Sequence, residues 1–346
     1  MLRSLVGSEM CIRDRFYVNL SYSFSVLRPI EIAINREGGT VAWFIPEGSE
    51  AEKFLQPDDH RLLTNKAVKE FAAHATLAPG NIVPDFFPGI KVQVFHGFDS
   101  GKKNKFNIRG LFDLYCTQGP NITQGFERIS DGTCEIVETG WSKLDPLFTP
   151  HPETDKFRTD APLILYAPTF SPKLTSTYAL YDHIKKLLEE KDWQWIVKLH
   201  PKATDEEVLL YKELACDKLR FVETGEATPI LQAADVILSD TSSILAEFAL
   251  QDKLAIAFNS RRPEPWMLHF TEAHLLEEIL EKALSSDQEQ LLKVIEHGNA
   301  IHPYKDGKSS ERVLSAINSL IDRGIGHLKT KPLNLIRRLK IRRKLK

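Results

Sequence analysis

The sequence has no apolar run approaching the roughly 20 residues that a membrane-spanning helix needs. Nothing near its start reads as a secretory signal. Cysteine is scarce: Cys11, Cys116, Cys134 and Cys216 form no C-x-x-C pair. That excludes a disulfide framework and a thiolate metal cluster, and it predicts reduced thiols in a cytoplasmic protein. Also missing are a G-x-x-x-x-G-K-[ST] loop, a G-x-G-x-x-G fingerprint, a G-x-S-x-G elbow and any His/Cys set at metal-ligand spacing. His200 and His302 stand far apart beside prolines. No metal and no cofactor is therefore expected. Net charge is small as well, at −2. Residues 331–346 hold eight Lys or Arg and no acid, so subtracting that +8 leaves about −10 on residues 1–330. The body has no electrostatic reason to seek nucleic acid.

The 346 residues suffice for two domains, and 42% hydrophobic with 27% charged residues excludes a disordered or fibrous chain. The opening "MLRSLVGSEMCIRDR" shares no periodicity with the rest of the chain. It resembles translated sequencing-adaptor read-through, so residues 1–15 are expected to be an artefactual or disordered leader outside the fold. From Phe16 the pattern is regular. "FYVNL", "TVAWFI", "RLLT", "ATLA", "KVQVFH", "FDLYCT" and "EIVETG" read as strands, with "SVLRPIEIAINREGG" and "NKAVKEFAAH" as helices. A polar, proline-bearing stretch after Asp145 marks a boundary. Beyond it, "LILYAP", "WQWIVKLH", "LRFVE", "DVILSD" and "LAIAF" read as buried parallel strands alternating with helices. The expected architecture is α/β, with two Rossmann-like domains at 16–150 and 151–325 and a basic amphipathic tail at 326–346.

In doubly wound sheets ligands sit beyond the carboxyl ends of the strands, so chemistry is sought there. "DVILSDTSSILAEFAL" ends a buried strand at Asp240 and enters a helix through Thr241, Ser242 and Ser243. Hydroxyls and free N–H groups at a helix start suit phosphate; capping would explain one such residue, not four in a row. "WIVKLHP" places Lys198 and His200 at another strand end, where they could neutralise phosphate or protonate a leaving oxygen. "VQVFHG" ends a strand at His96, a candidate base, ahead of Lys102, Lys103 and Lys105. Thr169 in "LYAPTF" either binds phosphate or caps a helix. Asp306, Gly307, Lys308 and Ser309 precede a further helix, as a second anion site or a capping box.

The ordered set "VFHG", "LYAPTF", "VKLHP", "SDTSS" and "DGKSSER" resembles the CDP-glycerol glycerophosphotransferase family of teichoic-acid primases and polymerases over about residues 85–315. The resemblance implies a GT-B fold with an active-site cleft between two facing domains. It implies that His96 deprotonates the acceptor hydroxyl and that His200 lies near the donor pyrophosphate. Lys198, Thr169, Asp240, Thr241, Ser242 and Ser243 would serve the donor phosphates, and Asp306, Gly307, Lys308 and Ser309 the nucleotide side. The chain departs from the family pattern at Phe170-Ser171-Pro172, where a basic residue is usual, and at Thr241, where an aromatic is usual.

The expected reaction moves glycerol phosphate, or a similar polyol phosphate, from a CDP-linked donor to a lipid-linked or glycan hydroxyl and releases CMP. A glycosyltransferase using a nucleotide-sugar donor is the alternative, and a non-catalytic lectin-like or scaffolding protein is a third. The tail "KPLNLIRRLKIRRKLK" gathers Leu333, Leu335, Ile336 and Leu339 on one helical arc, with Ile341 and Leu345 outside it. That pattern suits an anionic membrane surface, hence a protein peripheral to the inner face of the plasma membrane.

Overall fold

The structure is a computed structural model and describes residues 13–98, 106–223, 226–285 and 287–345. The chain divides into two compact units: Met1–Asp145 with Asp306–Lys346, and Pro146–Lys305.

The first unit is built on six parallel strands: β1 (Arg13–Tyr17), β2 (Thr40–Phe44), β3 (Ala75–Ala78), β4 (Ile90–Gln93), β5 (Leu114–Thr117) and β6 (Glu135–Glu138). Their order is β2-β1-β3-β4-β5-β6, which reverses direction between β1 and β3. Helices α1 (Ser23–Arg36), α2 (Asn65–Phe71) and α3 (Pro120–Glu127) cross between strands. The face of α1 carrying Val26, Leu27, Ile30 and Ile34 is buried, as its apolar spacing requires. "RLLT" forms no strand: Arg61 alone bridges Trp43, and Leu63 is exposed. The expected leader is also corrected, since Arg13–Arg15 complete β1 rather than standing outside the fold. Arg15 is fully buried and donates to Val68 O, Thr76 Oγ1 and Pro88 O, with its guanidinium 4.5 Å from the Phe87 ring centroid. Asp14 beside it is buried as well, and among the described residues only the Ala75 backbone offsets its desolvation.

The second unit repeats the plan with β7 (Leu163–Tyr166), β8 (Gln194–Val197), β9 (Leu219–Phe221), β10 (Val236–Ser239), β11 (Ala255–Phe258) and β12 (Leu268–Phe270). All pairings are parallel, in the order β12-β11-β10-β7-β8-β9, with the reversal between β7 and β10. The strands β7, β10 and β11 are buried throughout, which explains their unbroken apolar runs. Helices α4 (Thr177–Glu190), α5 (Asp205–Glu213), α6 (Thr228–Ala233), α7 (Ile244–Ala249), α8 (Leu276–Leu284) and α9 (Gln288–Ile301) complete it.

The chain then returns to the first unit. Helix α10 (Ser309–Arg323) buries Val313, Leu314, Ile317 and Leu320 and packs mainly on α1. This corrects the expected domain limits, because residues 306–325 belong with the first sheet. Helix α11 (Leu335–Lys344) forms the tail. Its Ile341 is buried in the first unit's core, and Leu345 packs beside it. Lys331 pairs with Asp113, while Arg338 and Arg342 pair with Asp85.

Candidate active site

Each unit presents a histidine just past the carboxyl end of a strand, and the contacts of each ring fix its tautomer. In the first unit the chain leaves β4 through Phe95, whose φ of 51° is strained for a bulky residue. The next residue, His96, is half-buried and stacks against Tyr22 with centroids 5.0 Å apart. Its Nδ1 lies 3.0 Å from Pro79 O. A carbonyl oxygen only accepts, so Nδ1 carries the proton and Nε2 offers its lone pair. That is the form a general base needs. Gln118 Nε2 donates to Gly97 O and holds the following turn. Lys102, Lys103 and Lys105 lie outside the described residues.

In the second unit three neighbouring strands, β10, β7 and β8, deliver the expected residues to one edge. His200 follows β8 and is exposed. Its Nδ1 accepts from Lys202 N at 3.1 Å. A backbone N–H only donates, so in the neutral ring Nε2 carries the proton and is a hydrogen-bond donor. Phe170 packs on the ring, tilted by 34° at a centroid separation of 4.3 Å. Partial burial first, then the charges of Lys198 and Lys202, depress the basicity of His200. Burial likewise lowers the pKa of Lys198, whose Nζ has no ion-pair partner among the described residues. The departure from the family pattern at Phe170 thus has a use: its ring orients the histidine.

The serine turn is organised by Asp240. This buried carboxylate accepts from Thr169 N at 2.9 Å, from Ser176 N at 3.0 Å and from Ser176 Oγ at 3.1 Å. Burial pushes its pKa up, against the pull of these bonds. Asp240 is therefore a positioning residue, which corrects its expected role on phosphate: both oxygens are spent, and its charge would repel an anion. Ser242 and Ser243 remain available. Among the described residues Ser242 Oγ accepts only a long bond from Ile244 N at 3.4 Å, and Ser243 makes no side-chain cap to α7. Thr241 Oγ1 accepts from Arg261 N at 3.2 Å. That contact draws in the loop after β11 with Arg261 and Arg262, both exposed and without an ion-pair partner among the described residues. Sequence reasoning missed these two arginines; the signal was "NSRRP" directly after the strand "LAIAF".

The "DGKSSER" segment is corrected more fully. It lies in the first unit, and its helix N-terminus is already filled. Asp145 Oδ1 accepts from Ser309 N at 2.8 Å and Oδ2 from Ser310 N at 2.7 Å. Asp306 forms a forked pair with Arg312, and Gly307 turns the chain at φ 68°. Asp306, Gly307 and Ser309 thus hold the helix start rather than a nucleotide, and Lys308 is exposed without an ion-pair partner among the described residues. Among the described residues no three His, Cys, Asp or Glu side chains are placed to share a metal ion.

Comparison with known proteins gives one family. Residues 104–264 match the model described as CDP-Glycerol:Poly(glycerophosphate) glycerophosphotransferase. No curated protein matches the sequence. Among solved structures, the wall teichoic acid polymerase TagF aligns over 91% of this chain and 90% of its own, at 14% identity and TM-score 0.64. That polymerase has also been solved after a soak with CDPG. A UDP-N-acetylglucosamine 2-epimerase from Listeria monocytogenes aligns over 91% of this chain and 98% of its own, at 15% identity and TM-score 0.66. The UDP-GlcNAc 2-epimerase from Neisseria meningitidis, solved with UDP-GlcNAc, covers 90% of this chain and 100% of its own at 13% identity and TM-score 0.62. At these identities the structural likeness shows the fold, which is of the GT-B type.

Proposed function

We propose that this glycerophosphotransferase-like transferase moves a polyol phosphate, glycerol phosphate in the first instance, from a CDP-linked donor to an acceptor hydroxyl and releases CMP. The fold alone serves epimerases and polymerases equally. The observation that carries the reading is the opposite preparation of the two histidines. His96 is held as a proton acceptor, and His200 as a neutral hydrogen-bond donor near Lys198, at the strand edge that also carries the serine turn.

In the proposed step the acceptor oxygen bonds to the phosphorus that bears the polyol, and its proton passes to His96 Nε2. The bond from that phosphorus to the bridging oxygen breaks, and CMP leaves with the electron pair. Charge growing on the leaving phosphate is met by Lys198, the His200 Nε2–H, Thr169, Ser242 and Ser243, with Arg261 or Arg262 in addition. The His96→Ala variant is expected to lose at least about 10²-fold in turnover while retaining donor affinity. Turnover within a few-fold of the parent protein would remove His96 as the base.

We further propose that the acceptor is membrane-bound and that α11 brings the protein to an anionic bilayer. Leu333, Leu335, Ile336 and Leu339 are 60–74% exposed, whereas Ile341 and Leu345 are packed inward. The tail thus has an anchored face and a free apolar face, and Lys340 and Arg343 are exposed without ion-pair partners among the described residues. No described helix is long and apolar enough to cross a membrane. Cosedimentation with vesicles containing phosphatidylserine is expected to fall steeply in the Leu335→Ser/Ile336→Ser variant; unchanged cosedimentation would remove this part.

A further inference from the structure

The first unit holds a pocket of about 660 Å3 lined by Tyr17, Leu20, Ile82, Lys340, Ile341 and Leu345, among others. Tyr17 ends β1, and Ile82 lies in the loop after β3. The pocket therefore sits at the carboxyl edge of the sheet where the strand order reverses, the position at which doubly wound sheets bind ligands. It shares two loops with His96. Leu20 and Tyr22 belong to one, and Tyr22 stacks on the imidazole. Ile82 belongs to the other, whose Pro79 carbonyl fixes the tautomer. The outer wall is α11.

The lining has a definite chemistry. Its floor is aliphatic and aromatic, and its wall carries Lys340 and Arg337 against one acid, Glu47. Lys340 has no ion-pair partner among the described residues, and Arg337 is engaged only through neutral oxygens, at Arg109 O and Asn334 Oδ1. A cavity of about 610 Å3 at the opposite, amino-terminal edge of the sheet makes the contrast. There both carboxylates are matched by cations, Asp113 by Lys331 and Asp85 by Arg338, and Lys91 donates to Gly89 O.

We infer that the pocket beneath α11 binds a phosphate-bearing amphiphile, with its chain against Leu20, Ile82, Ile341 and Leu345 and its phosphate at Lys340 and Arg337. The inference rests on the proposed transfer reaction only in calling this amphiphile the acceptor. The occupant follows from the lining: apolar depth asks for a hydrocarbon chain, and unpaired cations at the mouth ask for an anion. Seated so, the amphiphile lies along the two loops that hold His96, and the pocket becomes the acceptor subsite.

The test uses the full chain without donor and measures binding of dodecyl phosphate below its micelle concentration. Inorganic phosphate and dodecanol are run as separate arms. Dodecyl phosphate is expected to bind at least tenfold more tightly than either. Leu20→Glu and Lys340→Glu alter exposed side chains, so both should fold, and each is expected to weaken binding at least tenfold. Ile336→Ser, on the outer face of α11, is expected to bind as the parent does. Equal binding of dodecyl phosphate and inorganic phosphate, or parental affinity in both Glu variants, would overturn the inference. Because no turnover is read, failure to release CMP would sink the transfer reaction and leave this result standing.

Discussion

Protonating His200 turns its Nδ1 into a donor facing the Lys202 N–H, so the ring loses the contact that orients it. Burial and two neighbouring lysines oppose the same proton. The folded pKa therefore lies below the ordinary value of about 6.5. The contact's contribution to stability is present above the unfolded pKa and is lost as pH falls through the depressed folded value. Titration of the His200 ring by NMR is expected to show a midpoint below 6.5, moving upward in Lys202→Ala. A midpoint at or above that value in the parent protein would contradict the assignment.

Asp14 titrates with the opposite sign. Burial raises its pKa from the ordinary 3.8 to about 7, against a weaker pull from the Ala75 backbone. Between those values the folded state binds the extra proton, so stability falls as pH rises and the penalty is complete above about 7. The difference corresponds to about 4 kcal/mol at 1.36 kcal/mol per pKa unit. Asp14→Asn is expected to raise Tm at pH 8 and to flatten the dependence of Tm on pH between 5 and 8. An unchanged Tm would show that water or local opening solvates the carboxylate.

At the scale of elements, Asp145 shows why a serine-rich helix start misleads. Read along the chain, "DGKSSER" offers free N–H groups. The fold brings a carboxylate from 164 residues earlier onto them, and no local pattern records so distant a partner. Asp145→Ala is expected to destabilise the first unit by about 1–2 kcal/mol in urea unfolding, as expected for loss of a helix cap. A variant of unchanged stability would restore the segment as an open anion seat. The serine turn at 241–243 was legible because its strand, hydroxyls and helix are contiguous. Arg261 was not, because only the neighbouring register of β10 and β11 brings it to Thr241. The same limit explains α10: its apolar face was visible in sequence, but the sheet it covers was not.

For the whole molecule, ten parallel pairings in two sheets arise from alternating apolar runs and helices, and most of the strands were legible on that basis. The crossing of the chain back into the first unit was not, since a polar segment looks alike in a linker and in a return. The tail was legible by half. Its exposed arc matches the sequence reading, whereas Ile341 and Leu345, which fell outside that arc, secure the helix to the core.

The reaction class at stake is transfer of a phosphorus group with loss of a nucleoside monophosphate. The most direct measurement supplies the purified full chain and a membrane extract with CDP-glycerol, CDP-ribitol and sugar nucleotides, and identifies the nucleotide released. CMP is expected from a CDP-polyol, and its release is expected to be lost in His96→Ala. Release of a nucleoside diphosphate from a sugar nucleotide, with no CMP from either CDP-polyol, would contradict the assignment.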